Sequence, residues 1–180
     1  MSDAFNLLSD NFGAFASGLW VTLRIVGVAF VIAMVVGTSV AALRIAPSTP
    51  LNRIGGIYVE IFRNIPLLVL LLIFYIGVRR AGLPISAWAA GTLGLGLYTA
   101  VYIAEALRSG VFAVGKGQIE AALSLGLTYP RTMRKIILPQ AFRTVIPALG
   151  SLIIAMVKNS AIVGASLLAL PDLLKEAKVI

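Results

Sequence analysis

The sequence predicts an all-α membrane protein forming one domain over residues 1–180, and three observations carry that expectation. Uncharged runs of nineteen (Ile25 to Leu43) and twenty-four residues (Ala81 to Ala104) match the roughly 20 that a helix needs to cross about 30 Å of hydrocarbon. Hydrophobic residues make up 59% of the chain and charged ones 12%, where a soluble domain is nearer about half and a quarter; mean hydropathy is +0.99. Fifteen bases against seven acids give +8, and most bases lie between apolar runs. That placement marks topology in a lipid bilayer and gives no ground for a nucleic-acid partner. Cys and His are absent, which removes disulfides, thiolate or imidazole metal sites, and Cys- or His-based catalysis.

Taken in order, the opening "MSDAFNLLSDNFGAF" lacks the basic n-region of a signal peptide, so the first run is expected to be retained as a span. Arg24 stands just before it and could snorkel or mark a lead-in helix. Asn64 to Val78 is fifteen residues, and becomes a span if it starts near Ile54 with Glu60 and Arg63 at its inner end. Ala81 to Ala104 is the third span. Thr144 to Val157 is fourteen residues, read as a fourth span ending near Lys158. The odd loops carry nine bases (Arg44, Arg53, Arg63, Arg108, Lys116, Arg131, Arg134, Lys135, Arg143) and the even loop two, Arg79 and Arg80. This bias places the N-terminus outside and the long loop, about residues 108–138, in the cytoplasm. Four spans would end the chain outside on the half-charged "PDLLKEAKVI", so a further span is expected beyond it.

The long loop holds the one stretch of mixed chemistry. "GVFAVGKG" from Gly110 to Gly117 lies one residue type short of a phosphate loop. It follows a membrane helix instead of a strand and offers no hydroxyl for Mg²⁺, so it is not read as a nucleotide site. From Gln118 onward, Glu120, Ala121, Ala122 and Leu123 favour a helix, with Glu120 expected in its first turn and Gly126 as its stop. Thr128 to Pro130 reads as a turn before a basic amphipathic helix from Arg131. Such a short helix suits docking in another protein's groove, or lying on anionic lipid.

The spacing E-A-A, three residues, Gly, nine residues, I-x-L-P places Glu120, Ala121, Ala122, Gly126, Ile136, Leu138 and Pro139 in register. It resembles, with no departure, the cytoplasmic signature of ABC-importer permeases. "GLWVTLRI" (Gly18 to Ile25), "YVEIFRNIPLL" (Tyr58 to Leu68) and "YIAEALRSG" (Tyr102 to Gly110) are similar to the polar amino-acid permeases, which serve histidine, glutamine, glutamate, arginine and opines; the wording is most like glutamate permeases. In "KNSAIVGASLLALPDLL", Ser160-Ala161 replaces the family's usual Thr-Ser pair. The resemblance covers essentially the whole chain. It implies a type I ABC-importer transmembrane domain of about five helices, here expected to stop before the last. It implies a bacterial inner-membrane location, a second permease (a copy or a sister chain), two ATPase subunits and an extracytoplasmic solute-binding protein. ATP and Mg²⁺ would be bound by the ATPase, with no cofactor and no catalytic site in this chain. Gln118, Glu120, Ala121, Ala122, Leu123, Gly126, Ile136, Leu138 and Pro139 would form the element coupled to the ATPase.

Other candidates come from polar groups near the spans. Glu60 with Arg63, and Glu105 with Arg108, are three apart and can pair on one helix face at the membrane edge. Lys158 interrupts a long apolar run; its ammonium could meet a substrate carboxylate or snorkel to headgroups. Thr99, Tyr102 and Asn159 could line a polar path, or pack between helices. Pro66, Pro139 and Pro147 shape span ends or kinks. An ion-coupled transporter is disfavoured, since no inverted repeat is visible and Glu60 and Glu105 sit at span edges. A membrane enzyme lacks facing carboxylates.

Overall fold

The computed structural model describes residues 12–165. Helices α1 (Phe12–Ile45), α2 (Thr49–Asn64), α3 (Leu67–Leu72) and α4 (Val78–Arg80) come first. α5 (Ala87–Ala113), α6 (Lys116–Ser124), α7 (Tyr129–Thr132) and α8 (Leu138–Ala165) follow. Wider π-helical turns at Ile73–Gly77 and Met133–Ile137 join α3 to α4 and α7 to α8. Among the described residues, three helices are long and apolar enough to span a membrane, and the bent pair around Pro66 makes up to four.

α1 is apolar on every side, as a span facing lipid and protein together must be. Its inner seam runs Gly18, Thr22, Ile25, Ala29, Ala33, Gly37 and Ala41, steps of three and four residues that keep one face in line, small everywhere except at Ile25. That seam meets a second small-residue seam on α5. A Cβ at Gly37 would stand 2.8 Å from the Ala100 carbonyl oxygen, and one at Gly96 would stand 2.8 Å from Ile32 Cγ2. Helices in lipid gain contact by such close backbone approach, since lipid tails are as apolar as leucine. α5 is therefore the central helix, packed on α1 along one side and α8 along another. Gly110 admits Val145 and the Ala141 carbonyl at the α6 end of the bundle.

Five boundaries differ from expectation. The second span is not one straight helix from Ile54: α2 stops at Asn64 and the chain bends by 102° before Leu67. Pro66 forces this, because its ring pushes Ile65 out of the helical region to φ −94°, ψ 122°. The third span starts six residues late, where Ser86 Oγ accepts the Ala89 amide at 3.1 Å. It then continues past Ala104 to Ala113, so Gly110 lies inside a helix and the loop is shorter than residues 108–138 imply. The basic helix expected from Arg131 begins at Tyr129 and runs through its π turn into α8. That turn lies just before Pro139, which has no amide to continue α-helical bonding. α8 carries Pro147 inside and passes Lys158 without a break; an exposed lysine stem does not end a helix whose face it leaves. The expected tail "PDLLKEAKVI" and the Ser166 to Leu174 part of the resemblance lie outside the described residues.

Candidate functional site

α6 is a short helix set between two turns. Gly115 opens it at φ +86° and Gly126 closes it at φ +78°, backbone conformations that side chains with a Cβ seldom adopt. Beyond the last turn the Leu127 amide bonds the Ala122 carbonyl at 3.1 Å and the Gly126 amide bonds the Leu123 carbonyl at 2.9 Å. This paired closure is the glycine-dependent Schellman stop. Ile119 is partly buried and packs against Val111, Ile137 and Ala141 with Ile136 beside them; Ala122, three positions on, is buried as well. Gln118, Glu120, Ala121 and Leu123 face outward, and Leu125 is 83% exposed. Glu120 is in the second turn, because the helix already starts at Lys116; the expected first-turn placement does not hold.

A charge cluster closes the bundle at the same end. Glu105 Oε2 accepts Arg108 NH2 at 2.9 Å and Arg108 Nε at 3.3 Å. Its other oxygen, Oε1, lies 3.0 Å from Arg44 NH1, in the last turn of α1. Arg63 of α2 adds a more distant positive charge to Glu105. Glu60 and Arg63 do not pair with each other: among the described residues the ion pairs are the two at Glu105. Gly55 and Val59 form the inward stripe of α2, so Glu60 and Arg63 lie on its exposed side.

Between α5 and α8 a polar-edged cleft of about 180 Å³ is lined by Tyr98, Thr99, Tyr102, Leu152, Ala155, Met156 and Asn159. The Tyr102 hydroxyl donates to the Tyr98 hydroxyl at 3.0 Å. Three expected path residues, Thr99, Tyr102 and Asn159, therefore meet here. Lys158 does not: it is exposed, one helical step round from Asn159. A larger groove of about 380 Å³ between α1, α5 and α8 is almost wholly apolar, with Thr38 its only polar lining residue.

A family model described as "Binding-protein-dependent transport system inner membrane component" matches residues 29–174. The chain belongs to this family of permeases. The permease is 46% identical over 159 residues to the "Probable glutamine ABC transporter permease protein" of Bacillus subtilis, covering 88% of this chain and 74% of that one. It is 35% identical over 174 residues to the "Glutamate/aspartate import permease protein" of Escherichia coli (strain K12), covering 89% and 70%. It superposes on the crystal structure of an amino acid ABC transporter with TM-score 0.90 at 37% identity, covering 97% of this chain and 81% of that one. The inward-facing MetNI methionine transporter gives TM-score 0.71 at 28% identity, covering 86% and 74%. The fold is the type I ABC-importer transmembrane fold, and the permease is a multi-pass inner-membrane component.

The motif residues of the permease divide by direction. Ala122 and Ile136 face inward and Gly126 makes the turn. Glu120, Ala121 and Leu123 face away, and Leu138 and Pro139 start α8 with exposed side chains. Two residues of the site escape a reading of the sequence. Arg44 stands there only as a loop base, though it is the cross-helix partner of Glu105. Tyr98 draws no notice, although its spacing of four from Tyr102 is a readable signal.

Proposed function

We propose that this permease carries glutamate or a related polar amino acid inward across the bacterial inner membrane by alternating access. Its N-terminus faces outside and α6 faces the cytoplasm, seated in a cleft of a separate ATPase. The working complex contains two such ATPases, a second permease and an extracytoplasmic solute-binding protein, and ATP with Mg²⁺ is bound by the ATPases alone. The observation that carries the reading is α6 itself. It is a helix of nine residues with one buried side chain, bounded by two left-handed glycines, offering Glu120, Ala121, Leu123 and Leu125 to a partner.

The coupling follows from its packing. ATP closes the ATPase pair, and α6 moves with the surface it sits on. Ile119 packs against Val111 of α5 and Ile137 of the π turn that leads into α8, so both helices shift together. The bundle then exchanges two discrete packings around a shared path, which ATP binding biases one way and hydrolysis the other. The polar edge supplied by Tyr98, Thr99, Tyr102 and Asn159 offers hydroxyl and amide groups to an amino acid on that path. Relatives named for glutamine and for glutamate/aspartate support the substrate class.

Uptake of labelled glutamate, glutamine and arginine into vesicles containing the permease and its co-purifying partners tests the reading. ATP-dependent accumulation is expected for at least one of them. Accumulation driven by an ion gradient with the ATPase absent would overturn it.

A further inference from the structure

The charge cluster at Glu105 has two unlike halves. The Arg108 half lies within α5 and is hydrogen-bonded, with two guanidinium nitrogens converging on Oε2. The Arg44 half joins α1 to α5 and is held by charge alone. Although NH1 and Oε1 are 3.0 Å apart, neither Arg44 Nε nor Glu105 Oε1 has a hydrogen bond, and both atoms are enclosed. The side chains of Arg44 and Glu105 are only 20% and 25% exposed, so solvent screens the pair less than it would a surface pair. An undirected contact between partly buried charges keeps its attraction over a range of geometries, whereas an aligned hydrogen bond does not.

The surroundings fix Arg44 at a crossing of helices. The Asn52 side chain donates to its carbonyl at 2.6 Å. A Cβ at Gly55 would meet the Arg44 stem at 3.0 Å, so α2 rests directly on it. On the other side, Arg108 stands five residues before the end of α5, also over the Phe112 ring at 5.4 Å, and α6 follows after two residues. A displacement of α6 reaches this last stretch of α5 through a two-residue link, along with the turn that leads into α8.

We propose that Glu105 is a positioning residue for the transport cycle: Arg108 holds its carboxylate on α5, and the Arg44 contact is the joint that shifts when α6 moves. α1 and α2 are thereby tied to the motion of α5 by a contact able to slide without letting go of its charge. The proposal rests on α6 being the coupling helix.

The assay measures ATP hydrolysed per substrate transported by the complete complex, which a purely structural weakening would leave unchanged. Arg44→Gln and Glu105→Gln are expected to raise this ratio about fivefold or more, the lower end of typical coupling between sites. Arg44→Lys keeps the charge and should stay near the wild-type ratio, because no aligned fork is lost. Arg44→Gln leaves Glu105 paired with Arg108, so a raised ratio in that variant is not the cost of an unpaired buried carboxylate. Nitroxide distances between Ser39→Cys on α1 and Ser109→Cys on α5, exposed positions that leave the three charges in place, are expected to differ between the nucleotide-free complex and one with ATP in a hydrolysis-deficient partner. An unchanged ratio in Arg44→Gln and Glu105→Gln, or one distance in both nucleotide states, would overturn the proposal. Wild-type ATP-driven uptake in the same vesicles would leave the transport reading standing in that case.

Discussion

Two glycines of α1 give a paired test of how closely the spans pack. A Cβ at Gly37 would meet the Ala100 carbonyl oxygen at 2.8 Å and Ile103 Cβ and Cγ2 at 2.9 Å, while a Cβ at Gly27 meets nothing within 4 Å. Gly→Ala inside a helix gains about 1 kcal/mol from backbone entropy at either position. At Gly27 that gain stands alone. At Gly37 the neighbours are backbone and a β-branched side chain, neither able to swing aside, so the overpacking penalty takes the upper end of its range, about 3 kcal/mol. The net expectation is a loss of about 2 kcal/mol for Gly37→Ala and a gain of about 1 for Gly27→Ala, a spread of about 3 kcal/mol. At about 2–4 °C per kcal/mol for a chain this size, thermal unfolding in detergent should separate the two variants by about 6–12 °C. Equal Tm values would refute the close approach of α1 and α5 on which the fold is built.

Three further outcomes follow from the site. Gly126→Val places a β-branched residue at φ +78°, a strain of about 1–2 kcal/mol, and should abolish uptake while the permease still inserts and its ATPase still hydrolyses ATP; retained uptake would contradict the role of the turn. Asn159→Leu removes an amide from the cleft and should lower uptake about tenfold, the equivalent of one net hydrogen bond, without changing co-purification of the ATPase; unchanged uptake would take the cleft off the path. Lys158→Met should leave uptake within about twofold of wild type, since a snorkelling side chain contributes little beyond its stem; a large drop would return the ammonium to the substrate path.

The apolar runs and the loop motif are readable because they are local patterns: length without charge gives a span, and fixed spacing gives the positions of Glu120, Gly126 and Pro139. The 102° bend at Ile65-Pro66 is masked because hydrophobicity continues on its far side, although Pro66 itself is visible. α5 outruns its apolar stretch since Glu105 and Arg108 neutralise each other within the helix, and partnered charges do not end one. Lys158 looks like a stop because a charge interrupts the apolar run, yet that charge leaves the helix along a flexible stem. Arg44 cannot be assigned from spacing at all: its partner is sixty-one positions away, and only the meeting of α1 with α5 brings them together. The Glu60–Arg63 pair fails for the converse reason, since spacing permits a contact and the third dimension withholds it.

Cross-linking from single cysteines along α6 tests the central claim most directly, because the chain contains no native Cys. Each of residues 118–125 is replaced in turn, in the complex with its co-purifying ATPase, and fitted with a short photoactivated cross-linker. Adducts to the ATPase are expected from Gln118, Glu120, Ala121, Leu123 and Leu125 and not from Ile119 or Ala122. Adducts to lipid alone from the outward positions would contradict the docking of α6 on an ATPase.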